Sequence, residues 1–137
     1  YISALARDTA RYLLYWDPEH GEITWGPPTT LVQDLTYASS MTMDYSAGPG
    51  ISETLSGNTT LNIHNIPDGG EGSLLIRQDG TGGRTLAINA YSDGGVTGLT
   101  EIPIGAVTSI SGTASKYTQV DYKRYGSNVT LKFFPQP

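Results

Sequence analysis

No cysteine occurs among the 137 residues, which removes disulfides, thiolate metal sites and cysteine nucleophiles together. A chain that needs no oxidation step suits synthesis in a cytosol. Charge is also scarce: Asp, Glu, Lys and Arg make up 15 %, and the formal net charge is −5. The eight basic residues do not cluster, and only Lys123 and Arg124 are adjacent. Nucleic acid and anionic membranes both need clustered cations, so neither is an expected partner. No apolar run approaches the roughly 20 residues that span a bilayer, and no signal-peptide pattern is visible, so membrane insertion is not expected. The first residue is Tyr1 rather than an initiator methionine, which reads as a fragment or a processed product.

Histidine is nearly absent as well. His20 lies in turn-forming sequence and His64 alternates onto the polar side of its segment. Neither has a second ligand at metal spacing, and no nucleophile-elbow motif accompanies them. The expectation is a non-enzyme without metal or cofactor.

Glycine, serine and threonine are what the chain has in abundance. Turn signals recur about every 8–12 residues, and no segment after residue 30 keeps a helical period, as in an all-β sandwich or barrel. The alternation steadies from Ile51 onward: Leu55, Thr59, Leu61 and Ile63 fall on one side of "TLSGNTTLNIHNI". The fold expected is an antiparallel β-sandwich, jelly-roll-like, over residues 51–137. Residues 1–50 are expected to form an amino-terminal β-hairpin segment for oligomerisation, with a linker around "AGPG". In "YLLYWDPEHGEITWGP", Asp17-Pro18-Glu19-His20-Gly21 supplies turn chemistry between two apolar runs. Near the other end, Tyr125-Gly126-Ser127-Asn128 reads as a hairpin turn, and "FFPQP" as a strand's close.

The loop in "IRQDGTGGRTLAI" could be a phosphate cradle, a calcium loop or a bend. A phosphate cradle needs a lysine before Ser or Thr and a following helix, whereas Gly83 precedes Arg84, Thr85 and a β-alternating run. A calcium loop needs several closely spaced oxygen ligands, and Asp79 stands alone. The remaining reading is a β-hairpin bend with an Asp79–Arg84 pair.

Asp17, Glu19 and Glu22 lie near Tyr15, Trp16 and Trp25, the composition of a glycosidase subsite. All three acids belong to one turn, which explains them without catalysis. The aromatics are less easily placed, because a two-stranded hairpin cannot bury them alone. Tyr12, Leu14, Trp16, Ile23 and Trp25 are therefore candidate oligomer contacts. Tyr91, Asp93, Tyr122, Arg124, Tyr125 and Asn128, in or beside loops, are candidate ligand-binding residues.

The stretch "LNIHNIPDGGEGSLLIRQDGTGGRTLAI" resembles a module of bacteriophage tail-fibre and other virion proteins. Asn65, Gly69, Gln78, Asp79, Thr81, Gly82, Arg84, Thr85 and Leu86 match its pattern, and "TQVDYKRYGSNVTLKF" is similar to its closing hairpin. The amino-terminal hairpin is also similar to those of tail fibres. The likeness covers roughly residues 55–134. It departs at "NAYSDGGVTGLTEIPIG", where the module carries an aromatic-Pro or Trp-rich stretch, and at the final turn, which lacks Asp-Gly-Thr. The resemblance implies a virion component, assembled in the host cytoplasm, that is a homotrimer contacting other virion proteins. It implies binding of a cell-surface glycan or protein receptor, or a place at the fibre tip. A purely structural tail, baseplate or head-decoration role is the second reading, and a carbohydrate-binding module the third.

Overall fold

The computed structural model describes residues 13–17, 22–26 and 32–137. The chain divides into two units, Tyr1–Thr30 and Leu31–Pro137. In the first, β1 (Leu13–Asp17) pairs antiparallel with β2 (Glu22–Gly26). In the register Leu14 stands opposite Trp25 and Trp16 opposite Ile23, so four of the five candidate contact residues are paired across this ribbon. The fifth, Tyr12, lies outside the described residues.

The second unit is nearly all β. A six-stranded sheet has the order β3 (Val32–Gln33), β5 (Gly50–Leu55), β7 (Glu71–Gln78), β10 (Tyr117–Tyr125), β11 (Asn128–Pro135), β9 (Thr100–Pro103). A three-stranded sheet has the order β4 (Ser40–Asp44), β6 (Thr59–His64), β8 (Leu86–Ala90). The only helical piece among the described residues is a 3-10 turn at Tyr45–Ala47, capped by the Asp44 carboxylate on the Ser46 N–H.

Pairing is mixed, which corrects the expectation of an antiparallel domain. β3, β5 and β7 run parallel, as do β4, β6 and β8, and β9 runs parallel to β11. Only β7–β10 and β10–β11 are antiparallel in this unit. Parallel neighbours need a crossover connection, and among β3 to β8 the crossover is itself a strand of the other sheet, whereas β9 and β11 are joined through β10 of their own sheet. From β3 to β8 the chain passes alternately between the two sheets, winding like a flattened coil.

The loop at residues 79–85 is therefore a corner, not a hairpin: β7 and β8 belong to different sheets. The alternation of apolar residues is the same for either arrangement, because it records which face is buried and not which strand is the neighbour. Residues 32–50 likewise form β3 and β4 and belong to the second unit, so the division falls after Thr30 and not after residue 50.

Inward residues of both sheets form one hydrophobic cluster. Met41, Met43, Leu61 and Ile63 come from the smaller sheet, and Ile51, Leu55, Leu74, Ile76, Val120, Val129 and Leu131 from the larger. Fully burying a side chain of this size contributes about 1.5–3 kcal/mol. Tyr122 joins them at the edge. Its hydroxyl donates to the Pro49 carbonyl at 2.5 Å, across Gly72. A Cβ on Gly72 would stand 2.0 Å from that carbonyl oxygen, so only glycine lets the strands close here.

Candidate functional site

One end of the second unit gathers four connections: Tyr45–Pro49, the segment 65–70, the loop 91–99 and the β10–β11 turn. Segment 65–70 ties two of the others to itself through main-chain bonds. The Asn65 and Ile66 N–H groups donate to the Asp93 and Tyr91 carbonyls at 2.9 and 3.1 Å. On the other side Gly69 N–H donates to Arg124 O at 3.1 Å, and Arg124 N–H to Gly70 O at 2.8 Å. The turn is bound to β9 as well, through Thr100 N–H to Ser127 O at 2.9 Å.

Side chains complete the framework. The Arg124 guanidinium donates to the carbonyls of Ile66 at 2.7 Å and Gly126 at 2.6 Å. The Asp68 carboxylate accepts the Gly126 N–H at 2.8 Å. The Asp93 carboxylate accepts the N–H groups of Gly95, Val96 and Thr97, at 3.2, 2.9 and 2.9 Å. Hydrogen bonds from Thr97, backbone first, hold its pKa down at about 2. Tyr91 stands edge-on to His64, with ring centroids 5.2 Å apart.

Five of the six expected ligand-binding residues thus meet at this end, but their roles divide. Asp93 and Arg124 hold the loops. Tyr91 is half-buried. Tyr125 and Asn128, opposite one another across the turn, are exposed. Tyr125 is 56 % exposed, and the Lys123 ammonium lies 5.4 Å from its ring centroid. Tyr122 is a correction: at 2 % exposure it is core, because the period of two sends it inward with Thr118 and Val120. Val96, 90 % exposed at the tip of its loop, was missed by sequence reasoning, and only its place in a glycine-flanked loop could have signalled it.

A shallow groove of about 380 Å³ lies on the outer face of the six-stranded sheet. Ser73 and Gln119 donate to its Asp121 carboxylate at 2.7 and 2.9 Å, while Lys123 faces Glu71 at 3.6 Å. Such a surface can hydrogen-bond a polar ligand. Among the described residues no group of three or more His, Asp or Glu side chains could hold a metal ion.

The glycine-rich corner lies at the opposite end, and its motif residues serve the corner itself. Gln78 is buried at 1 % exposure. Its amide donates to the carbonyls of Arg84 and Ser111, both at 2.8 Å, and accepts the Arg84 N–H at 2.9 Å. Asp79 pairs with the Arg84 guanidinium at 2.8 Å, as the spacing predicts, and accepts the Gly82 and Thr81 N–H groups. The arginine foremost, then the Gly82 N–H, hold the Asp79 pKa down at about 2.

Searches against protein-family models, curated proteins and solved structures found no match to the chain.

Proposed function

We propose that this chain is the attachment domain of a bacteriophage tail fibre or related virion protein, with the 65–70, 91–99 and 125–128 end as its receptor-facing surface. The observation that supports it most is the construction of that end. Loops from separate strands are bound to one another through main-chain hydrogen bonds, and the side chains left outside include Val96, Tyr125 and Asn128. A pre-ordered surface loses little entropy on binding, and tyrosine contributes a large amphipathic contact. The ligand class is a cell-surface glycan or protein. The two sheets are read as a β-sandwich in which wound parallel strands replace much of the antiparallel pairing a jelly roll would have. Homotrimers on a fibre, assembled in the host cytoplasm with other virion proteins, would make weak single contacts act together.

A second reading, a purely structural virion component, is favoured by the internal engagement of Asp93 and Arg124. Competition decides between them. The purified chain in excess is expected to reduce phage adsorption to host cells, and Tyr125→Ala to weaken that competition at least about tenfold, as expected of a central interface aromatic. Its melting temperature should stay unchanged. Absence of competition by the parent chain would favour the structural role, and an equally effective Tyr125→Ala would remove this surface from the reading.

A further inference from the structure

The three-stranded sheet is parallel throughout, and its inward residues belong to the core. Parallel sheets are ordinarily covered on both faces, yet the outward face here carries a grid of short polar side chains. The register sets Ser40 beside Thr60 and Ala87, Thr42 beside Asn62 and Asn89, and Asp44 beside His64. Tyr91 completes the last row, edge-on to the His64 ring. All but Ala87 can hydrogen-bond, and none of the large exposed apolar residues among those described lies on this face. Asparagine and aspartate are depleted in strands, so their alignment on neighbouring strands needs a cause. A ladder is part of it: Asn89 donates to Asn62 at 3.2 Å, and Asn62 to Ser40 and to the Met41 carbonyl, both at 3.3 Å. The ladder orients the amides and leaves some of their capacity over.

The polar atoms left over identify the ligand. The Asp44 carboxylate accepts the Ser46 and Asn65 donors on Oδ1 alone, and its Oδ2 has no partner among the described residues. The Asn89 amide oxygen, the His64 imidazole and the Thr42, Thr60 and Tyr91 hydroxyls likewise bond to no described residue. Asp44 is the one carboxylate of the grid, which holds no lysine or arginine. A polyanion therefore finds no cation here, and a protein partner finds none of the apolar centre that interfaces have. Amides, hydroxyls and a carboxylate at strand spacing match a ligand that donates and accepts at every position, which is a saccharide. The half-buried Tyr91 ring offers an apolar edge to a sugar's C–H groups. Gly95, at φ of 108°, lies against the His64 ring, where a Cβ would stand 2.9 Å from Nε2, so the loop 91–99 borders the last row. We propose that the outward face of the three-stranded sheet binds a neutral saccharide, held by Asp44, Asn62, His64 and Asn89. The site lies apart from Tyr125 and the virion reading is not a premise of it, so the two fail separately.

The full chain, labelled with a nitrogen isotope, is titrated with millimolar glucose, galactose, mannose and N-acetylglucosamine in turn and followed by two-dimensional nuclear magnetic resonance. At least one sugar is expected to shift the side-chain amide signals of Asn62 and Asn89 saturably and to leave that of Gln119, on the other sheet, unmoved. Glucuronic acid is expected to bind more weakly than the neutral sugars, because its carboxylate meets Asp44. Asn89→Ala should weaken binding about tenfold, as for the loss of one or two hydrogen bonds to a ligand, with unchanged far-ultraviolet circular dichroism. Absence of saturable shifts with all four sugars overturns the proposal, as do shifts confined to other surfaces. Tighter binding of glucuronic acid overturns the neutral class, and a folded Asn89→Ala that binds as the parent does overturns the site. If Asn89→Ala does not fold, Thr42→Lys at an exposed position of the grid takes its place, and undiminished binding by it overturns the site.

Discussion

Gln78 shows how much one polar side chain can organise. It lies on the inward row of β7 after Leu74 and Ile76, where an apolar residue would ordinarily stand. From there its amide satisfies the Arg84 N–H and two carbonyls, Arg84 and Ser111, of chain segments that have no ladder partner at that point. A buried donor or acceptor left without a partner costs about 1–3 kcal/mol. Gln78→Leu keeps the volume and removes all three bonds, so it should lower unfolding stability by about 3 kcal/mol, with much of the loss from the stranded backbone groups. Urea denaturation checks this through a fall in midpoint at constant slope. An unchanged midpoint would mean that water replaces the amide. The glycines around it are equally specific. Gly82 has φ of 75°, and a Cβ there would meet the Gly112 carbonyl oxygen at 2.7 Å, whereas Gly83, also at φ of 75°, has open space.

Among the elements, acidic corners form a class. Asp68, Asp79 and Asp93 each precede a glycine, and each carboxylate accepts backbone N–H groups that a turn leaves unpaired. The linkage to pH follows from two of them. Asp79 and Asp93 titrate near 2 in the folded chain against an ordinary 3.8, so the folded state binds fewer protons in that interval. Their stabilisation is fully present above about pH 4 and is lost as the pH falls through 2. Thermal unfolding from pH 5 to pH 2 should therefore show a falling melting temperature, and Asp79→Asn/Asp93→Asn should flatten that slope. A slope as steep in the double variant as in the parent would assign the acid sensitivity to other carboxylates.

For the whole molecule the decisive feature is the winding from β3 to β8. Successive strands of this stretch alternate between the two sheets, so removing the first turn of the coil uncovers strands that follow it. β4 supplies Met41 and Met43 to the core and pairs with β6 along its length. A chain begun at residue 51, where alternation alone would place the domain boundary, lacks that cover over Leu61 and Ile63. It should be aggregated or unfolded, because losing two large buried side chains alone removes about 4–10 kcal/mol, comparable with the whole stability of a domain. A chain begun at residue 31 should fold cooperatively. Circular dichroism and a thermal melt of the two truncations test this, and cooperative melting of the shorter one would refute the dependence on β4.

The sequence by itself determined the β class, the inward rows and the turns. Burial alternates with period two along β6, β10 and β11, and Asp-Gly and Tyr-Gly corners stop the strands where local backbone chemistry requires it. It also determined the Asp79–Arg84 pair, because five residues across a tight corner leave those two side chains facing. Which strands become neighbours was decided only by the tertiary structure. The pattern that makes β7 and β8 look like a hairpin is equally satisfied by a corner between sheets, and the choice rests on long-range pairing of β7 with β5 and β10 and of β8 with β6. The same holds for the partner of the Tyr122 hydroxyl, the carbonyl of Pro49, far away in sequence and brought close by Gly72. Local residues set which face of a strand is wet, and only the assembled core sets which strand lies beside it.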